Sequence, residues 1–180
     1  MRTATARRWT GLAILFASLC QAVMADDNVL GLPAPKDAER PGAVVLHGGG
    51  RISEDVFDRF VELAGGKEAQ IVFVPSAGWR PSDYPNEGVF LEVMRSRFSS
   101  WVALATSKRI KRFQFLYTDS PRAAESAIFV KPLETATGVW FSGGDQTRLN
   151  YRFVGNYPNQ TKFQIAVRQV LERGGVVGGT

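Results

Sequence analysis

The residues best suited to chemistry lie in the segment Phe141–Leu149, which reads Phe-Ser-Gly-Gly-Asp-Gln-Thr-Arg-Leu. Its two glycines would let a substrate approach the backbone closely, and free N–H groups at a strand-to-helix turn can stabilise a developing oxyanion. Gln146 can both donate and accept hydrogen bonds, as recognition of an amide requires. The segment is typical of an acyl-transfer site, and a turn with a polar helix cap would show the same pattern.

A second glycine-rich segment, His47–Gly50, follows an apolar run. It fits a permissive turn, a phosphate cradle or the oxyanion segment of lipases and esterases. The spacing of dinucleotide-binding and Walker motifs is missing. An α/β-hydrolase esterase would also need a Gly-x-Ser-x-Gly elbow, and none occurs in the sequence. For His47 we favour a structural role, with the ring hydrogen-bonded to a loop carbonyl, over a catalytic one.

Cysteine and histidine are scarce, and this scarcity limits the possible chemistry. Cys20 is the only cysteine and His47 the only histidine. A zinc site or a complete Ser-His pair would have to be built around that single imidazole.

The elements that must position these segments are short apolar strands alternating with helices. This alternation indicates an α/β fold, a doubly wound and mostly parallel sheet with helices on both faces. In such sheets ligands bind at the carboxyl ends of the strands, where His47–Gly50, Ser76–Gly78 and Ser142–Gln146 would fall. The predicted strands are 43–46, 70–75, 110–117, 137–141 and 175–178, and the predicted helices lie near 53–64, 89–105, 120–129 and 160–173.

Residues 1–25 have the features of a secretory signal peptide: a basic start, a short apolar core and a small residue, Ala25, at the cleavage site. A lipoprotein anchor at Cys20 is the weaker alternative, because Leu19 does not fit the small residue expected before it. We therefore predict export to the periplasm or the exterior, a lead-in segment over 26–42 and an α/β domain over 43–180.

Without the three leader arginines, 19 basic residues face 17 acidic ones. This balance of charge gives no argument for nucleic-acid binding.

Taken together, four segments resemble the cyanophycinase and dipeptidase E family of serine peptidases, whose fold is similar to that of class I glutamine amidotransferases. The resemblance extends from Ala43 to Thr180, and its most specific parts are Ser-Gly-Gly-Asp-Gln and the terminal Gly-Gly-Thr. The four segments are Gly48–Gly50, Val74–Ala77, Phe141–Leu149 and Gly174–Thr180.

In that family the Gly-Gly-Thr segment continues into Ser-Ala-Gly, so the resemblance implies a nucleophilic serine directly after Thr180. The base and its partner would follow further along, and the domain would be incomplete at its nucleophile-bearing strand. The resemblance also implies that Gly144 and Asp145 offer N–H groups to the oxyanion, and that Gln146 and Gly50 contact substrate. It implies no metal and no organic cofactor.

The function that follows is an exported serine peptidase that hydrolyses aspartyl or β-aspartyl peptides, such as the polymer cyanophycin. We expect the chain as far as Thr180 to be inactive alone. The alternative is an exported α/β domain that binds a ligand without catalysis. The sequence leaves the oligomeric state open.

Overall fold

The computed structural model describes residues 41–50, 52–107, 109–156 and 158–180. The predicted signal peptide over 1–25 and most of the lead-in segment over 26–42 lie outside these residues. No helix in the described ranges is both long enough and apolar enough to cross a bilayer.

The described residues form a five-stranded sheet in the order β1-β5-β4-β2-β3, and every neighbouring pair is parallel. This arrangement confirms the predicted α/β fold with a parallel sheet. The strands are β1 Ala43–Leu46, β2 Gln70–Val74, β3 Arg112–Phe115, β4 Gly138–Phe141 and β5 Val176–Gly179.

Six α-helices occur in the described ranges, together with three short 3₁₀ turns. The helices are α1 Glu54–Leu63, α2 Glu87–Arg97, α3 Ser99–Thr106, α4 Ala127–Glu134, α5 Gln146–Phe153 and α6 Lys162–Glu172. The 3₁₀ turns are Gly66–Glu68, Pro81–Asp83 and Pro121–Glu125.

Two predicted helices differ from those observed. The single helix expected over 89–105 is divided into α2 and α3 at Phe98, whose backbone leaves helical geometry. The Phe98 ring packs 4.5 Å from the Phe73 ring, centroid to centroid. The helix expected over 120–129 is a 3₁₀ turn beginning at Pro121, followed by α4. Ser53 lies at the N-cap of α1 as predicted, but its side chain makes no capping hydrogen bond.

Helices cover both faces of the sheet. On one face, α1 and α3 pack an aromatic cluster that includes Phe60, Trp101 and Trp140. On the other, α4, α5 and α6 bury a mainly aliphatic core against Val72 and Val139. Gly178 is required on the aromatic face, because a Cβ there would lie 2.6 Å from the Trp140 ring. Val44 and Leu46 of β1 remain 61% and 87% exposed.

The strand order places a topological switch point between β2 and β4. The chain leaves β2 towards β3 and leaves β4 towards β5, in opposite directions along the sheet. Connections that diverge in this way open a crevice at the carboxyl ends of the two strands, where ligands bind in open α/β sheets. The segments after β2 and β4 are therefore the first place to look for a site.

Candidate functional site

An open cleft of about 1460 Å³ extends from the carboxyl ends of the strands to the helices α1 and α3. Its lining includes the predicted glycine segments Gly48–Gly50 and Ser142–Gly144, and also Thr180 at the end of β5. The structure thus brings together three segments that are far apart in the sequence, because the ends of parallel strands share one edge of the sheet.

The loop after β4 is fixed against the loop after β2. The Ser142 N–H donates to the Val74 carbonyl at 3.0 Å, and the Asp145 N–H donates to the Ala77 carbonyl at 3.0 Å. Between them, Gly144 has a φ of +148°, and a Cβ on it would lie 2.5 Å from the backbone of Ala77. Only glycine fits this position, because a side chain would be strained in φ and would overlap Ala77.

Thr180 lies beside the same loop. Its N–H donates to the Phe141 carbonyl at 3.2 Å. A Cβ built on Gly143 would lie 3.3 Å from Cγ2 of Thr180. The end of β5 and the two glycines after β4 therefore meet in the cleft.

The predicted oxyanion donors differ in their availability. The Asp145 N–H is occupied by the Ala77 carbonyl, so an oxyanion would have to compete with that bond. Within the described ranges, no group accepts a hydrogen bond from the N–H of Gly143 or of Gly144. The geometry thus favours the two glycines as donors. The occupied bond could not be predicted from the sequence, since it joins two separate loops.

The Asp145 carboxylate caps helix α5. Its Oδ1 accepts hydrogen bonds from the Thr147 hydroxyl at 2.6 Å and from the Thr147 N–H at 2.9 Å. These two bonds hold the pKa of Asp145 below its usual value, the hydroxyl bond being the stronger cause. The carboxylate therefore acts as the N-cap of α5.

The two residues predicted to contact substrate, Gly50 and Gln146, lie in different places. Gly50 is exposed, has a φ of +78° and lines the cleft. Gln146 is also exposed, as the first residue of α5, but it lies outside the lining of the cleft. A substrate would therefore meet Gln146 only by extending over the end of α5.

His47 occupies the end of β1, where its N–H donates to the Gly179 carbonyl at 2.9 Å. Its Nδ1 is buried, and none of the described residues bonds to it. The bond from the ring to a loop carbonyl that we expected is therefore not formed at this nitrogen.

Two serine hydroxyls are buried at the switch point, those of Ser76 and Ser142. Neither has a hydrogen-bond partner among the described residues. Ser142 lines the cleft but is only 4% exposed. A nucleophilic serine needs a base in hydrogen-bond contact, so neither hydroxyl is placed for attack.

An aromatic wall on one side of the cleft was not predicted. The Trp79 ring lies 4.9 Å from the Phe98 ring, and the Arg97 guanidinium lies 5.9 Å from the centre of Trp79. Trp79 directly follows the predicted segment Ser76–Gly78 after β2, and this position could have indicated it from the sequence. Nothing in the sequence indicated Phe98, because its position depends on the break between α2 and α3.

A second, smaller pocket lies beside α5 and is lined by Arg80, Arg148 and Arg152. Arg152 is buried, and it donates hydrogen bonds to the Ser76 carbonyl and, at 3.2 Å, to Asp119. Burial lowers the pKa of Arg152, Asp119 opposes this shift, and the charges of Arg148 and Arg80 add to it. Arg148 and Arg152 stand four residues apart on one helix face, a signal that sequence analysis could have used.

The described residues include no group of three or more His, Cys, Asp or Glu side chains arranged to hold a metal ion.

Similarity to known proteins is found among solved structures. No protein-family model and no curated protein sequence matches the chain. Among solved structures, the chain is similar to the crystal structure of a peptidase from an acI-B1 Actinobacterium, with 19% sequence identity and a TM-score of 0.56. The match covers 77% of this chain and 53% of the other, so the chain spans about half the length of that peptidase. At this identity the similarity establishes the fold.

Proposed function

We propose that this chain belongs to an exported serine peptidase of the cyanophycinase and dipeptidase E type, which hydrolyses aspartyl or β-aspartyl peptides. The observation that carries the proposal is the contact between Thr180 and Gly143 at the switch-point cleft. A serine directly after Thr180 would emerge beside two backbone N–H groups with no partner among the described residues. The similarity in fold to a solved peptidase adds support.

In the proposed mechanism, the serine Oγ attacks the carbonyl carbon of the scissile peptide bond. A histidine beyond Thr180 takes the hydroxyl proton, and the carbonyl oxygen becomes an oxyanion near Gly143 and Gly144. The C–N bond then breaks, and the histidine gives its proton to the leaving amine. Water, activated by the same base, hydrolyses the acyl-enzyme and regenerates the serine.

The loop geometry suits this mechanism because the oxyanion donors are held in place before substrate arrives. The bonds from Ser142 to Val74 and from Asp145 to Ala77 fix the loop at both ends. Donors oriented in advance stabilise the transition state without rearrangement, and losing one typically costs about 10²–10³ in kcat.

The test incubates the full-length protein with β-aspartyl, α-aspartyl and neutral dipeptides. Hydrolysis is measured by the amino groups that it releases. We expect cleavage of one or both aspartyl classes and little cleavage of the neutral dipeptide. The matched control is the full-length protein with alanine in place of the serine after Thr180, which should lose several orders of magnitude in rate. Saturable peptide binding without hydrolysis would favour the non-catalytic domain instead.

A further inference from the structure

The second pocket, of about 410 Å³, carries more positive than negative charge in its lining. Its three arginines face a single carboxylate among the described lining residues, that of Asp119. The hydroxyl-bearing residues Ser82, Thr147 and Tyr151 complete the lining.

Two of the arginines already have partners. Arg80 forms two hydrogen bonds with Asp83, at 2.7 and 3.0 Å. Arg152, only 4% exposed, pairs with one oxygen of Asp119, and the other oxygen of Asp119 accepts the Ser82 N–H at 2.7 Å. Both oxygens of Asp119 are therefore engaged, one by Arg152 and the other by the Ser82 N–H.

Among the described residues, Arg148 has longer contacts than the other two arginines of the pocket, a hydrogen bond to Gly78 and an ion pair with Asp145. Its nearest acceptors are the Gly78 carbonyl at 3.5 Å and Oδ2 of Asp145 at 3.8 Å. Charge-assisted N–H···O bonds are normally about 2.7–2.9 Å long. Thr147 bonds to Oδ1 of Asp145, and the other oxygen, Oδ2, is the one that lies 3.8 Å from Arg148. The Arg148 side chain is 37% exposed, so an anion in the pocket could reach it.

We propose that this pocket is an anion subsite in which Arg148 binds a carboxylate of the peptide substrate. This inference rests on the proposed function. The pocket and the cleft share the loops after β2 and β4. Arg148 approaches the carbonyl of Gly78. A Cβ on Gly78 would in turn lie 3.1 Å from the Gly143 carbonyl, which belongs to the loop that lines the cleft. A peptide whose scissile carbonyl lies at Gly143–Gly144 can thus place a second, acidic group on the α5 side of these loops.

The binding test uses the full-length protein labelled with ¹⁵N and probes that cannot be hydrolysed. N-acetyl-aspartate, the uncharged analogue N-acetyl-asparaginamide and inorganic phosphate are titrated separately, and amide shifts are recorded for Gly78, Asp145 and Thr147. We expect saturable shifts with N-acetyl-aspartate and weaker ones with the other two. Arg148→Gln should weaken the binding about tenfold or more, as loss of a charged hydrogen bond does, and Arg148→Lys should restore part of it.

The matched control is Arg59→Gln, which removes an exposed arginine that pairs with Glu62 and lies outside both pockets. It should bind N-acetyl-aspartate as the wild type does. Equal binding of phosphate and N-acetyl-aspartate, or unchanged binding by Arg148→Gln, would overturn the proposal.

Hydrolysis assays distinguish failure of the subsite proposal from failure of the proposed function. If the protein cleaves aspartyl peptides and Arg148→Gln changes neither KM nor kcat, the subsite is wrong and the peptidase proposal stands. If N-acetyl-aspartate binds through Arg148 but no peptide is cleaved, the peptidase proposal fails and the anion site stands as a property of the fold.

Discussion

The backbone N–H of Asp145 donates a 3.0 Å hydrogen bond to the carbonyl oxygen of Ala77, which joins the loop after β4 to the loop after β2. This bond occupies one of the two N–H groups expected to bind an oxyanion. It also brings Gly144 against Ala77 so closely that no side chain fits. The same contact that organises the candidate site thus makes the loop intolerant of substitution.

Gly144→Ala should therefore destabilise the protein. The positive φ and the 2.5 Å approach to Ala77 each oppose a Cβ, and together they should cost at least about 2 kcal/mol of unfolding free energy. Urea denaturation of the full-length protein measures this cost. Gly143→Ala is the matched control, because the atoms nearest to a Cβ there belong to Thr180, at 3.3 Å or more. Equal stabilities of the two variants would contradict the packing described.

Thr147→Val should raise the pKa of Asp145. The Thr147 hydroxyl is the main cause of the low pKa of this carboxyl, and valine removes that hydroxyl while keeping the N–H bond. Carbon-13 NMR of the carboxyl group measures both pKa values. Because the pKa of Asp145 is lowered by folding, its contribution to stability is present above the unfolded pKa and lost as the pH falls through the folded one. An unchanged pKa in the variant would refute the assigned cause.

Thr161→Ala should destabilise helix α6 and the preceding turn. The buried Thr161 hydroxyl accepts the Gln164 N–H at 3.1 Å and donates to the Phe153 carbonyl at 2.6 Å, and Gln164 completes a capping box. Loss of the cap and of the buried hydrogen bond should cost about 2 kcal/mol. Chemical denaturation provides the measurement. Thr161→Ser keeps the hydroxyl and should retain most of the stability; if both variants unfold alike, the cap is not responsible.

The proposed export can be tested on the protein secreted by its own host. Signal peptidase should cut after Ala25, so the mature chain should begin at Asp26. N-terminal sequencing or intact mass measures the new terminus. A chain that keeps Met1 and stays in the cytoplasm would refute export, and a lipid-modified Cys20 would support the anchor instead.

Much of the sheet could be predicted because its strands are short apolar runs between helical segments. Val72 and Val139 lie in such runs, and the strand ends located the glycine loops of the site. The sequence could not show that Phe98 interrupts a helix, since that break depends on packing against Phe73 and Trp79. The spacing of Arg148 and Arg152 indicates one helix face, but the sequence could not show that Arg80 joins them, because Arg80 lies on a separate loop.

The central claim is that the cleft receives its nucleophile from a serine directly after Thr180. The most direct measurement is labelling of the native full-length protein with a fluorophosphonate, followed by mass spectrometry of its peptides. The account predicts one adduct, on that serine, formed in step with the loss of peptidase activity and slowed by an aspartyl peptide. An adduct on another residue, or loss of activity without an adduct on that serine, would contradict it.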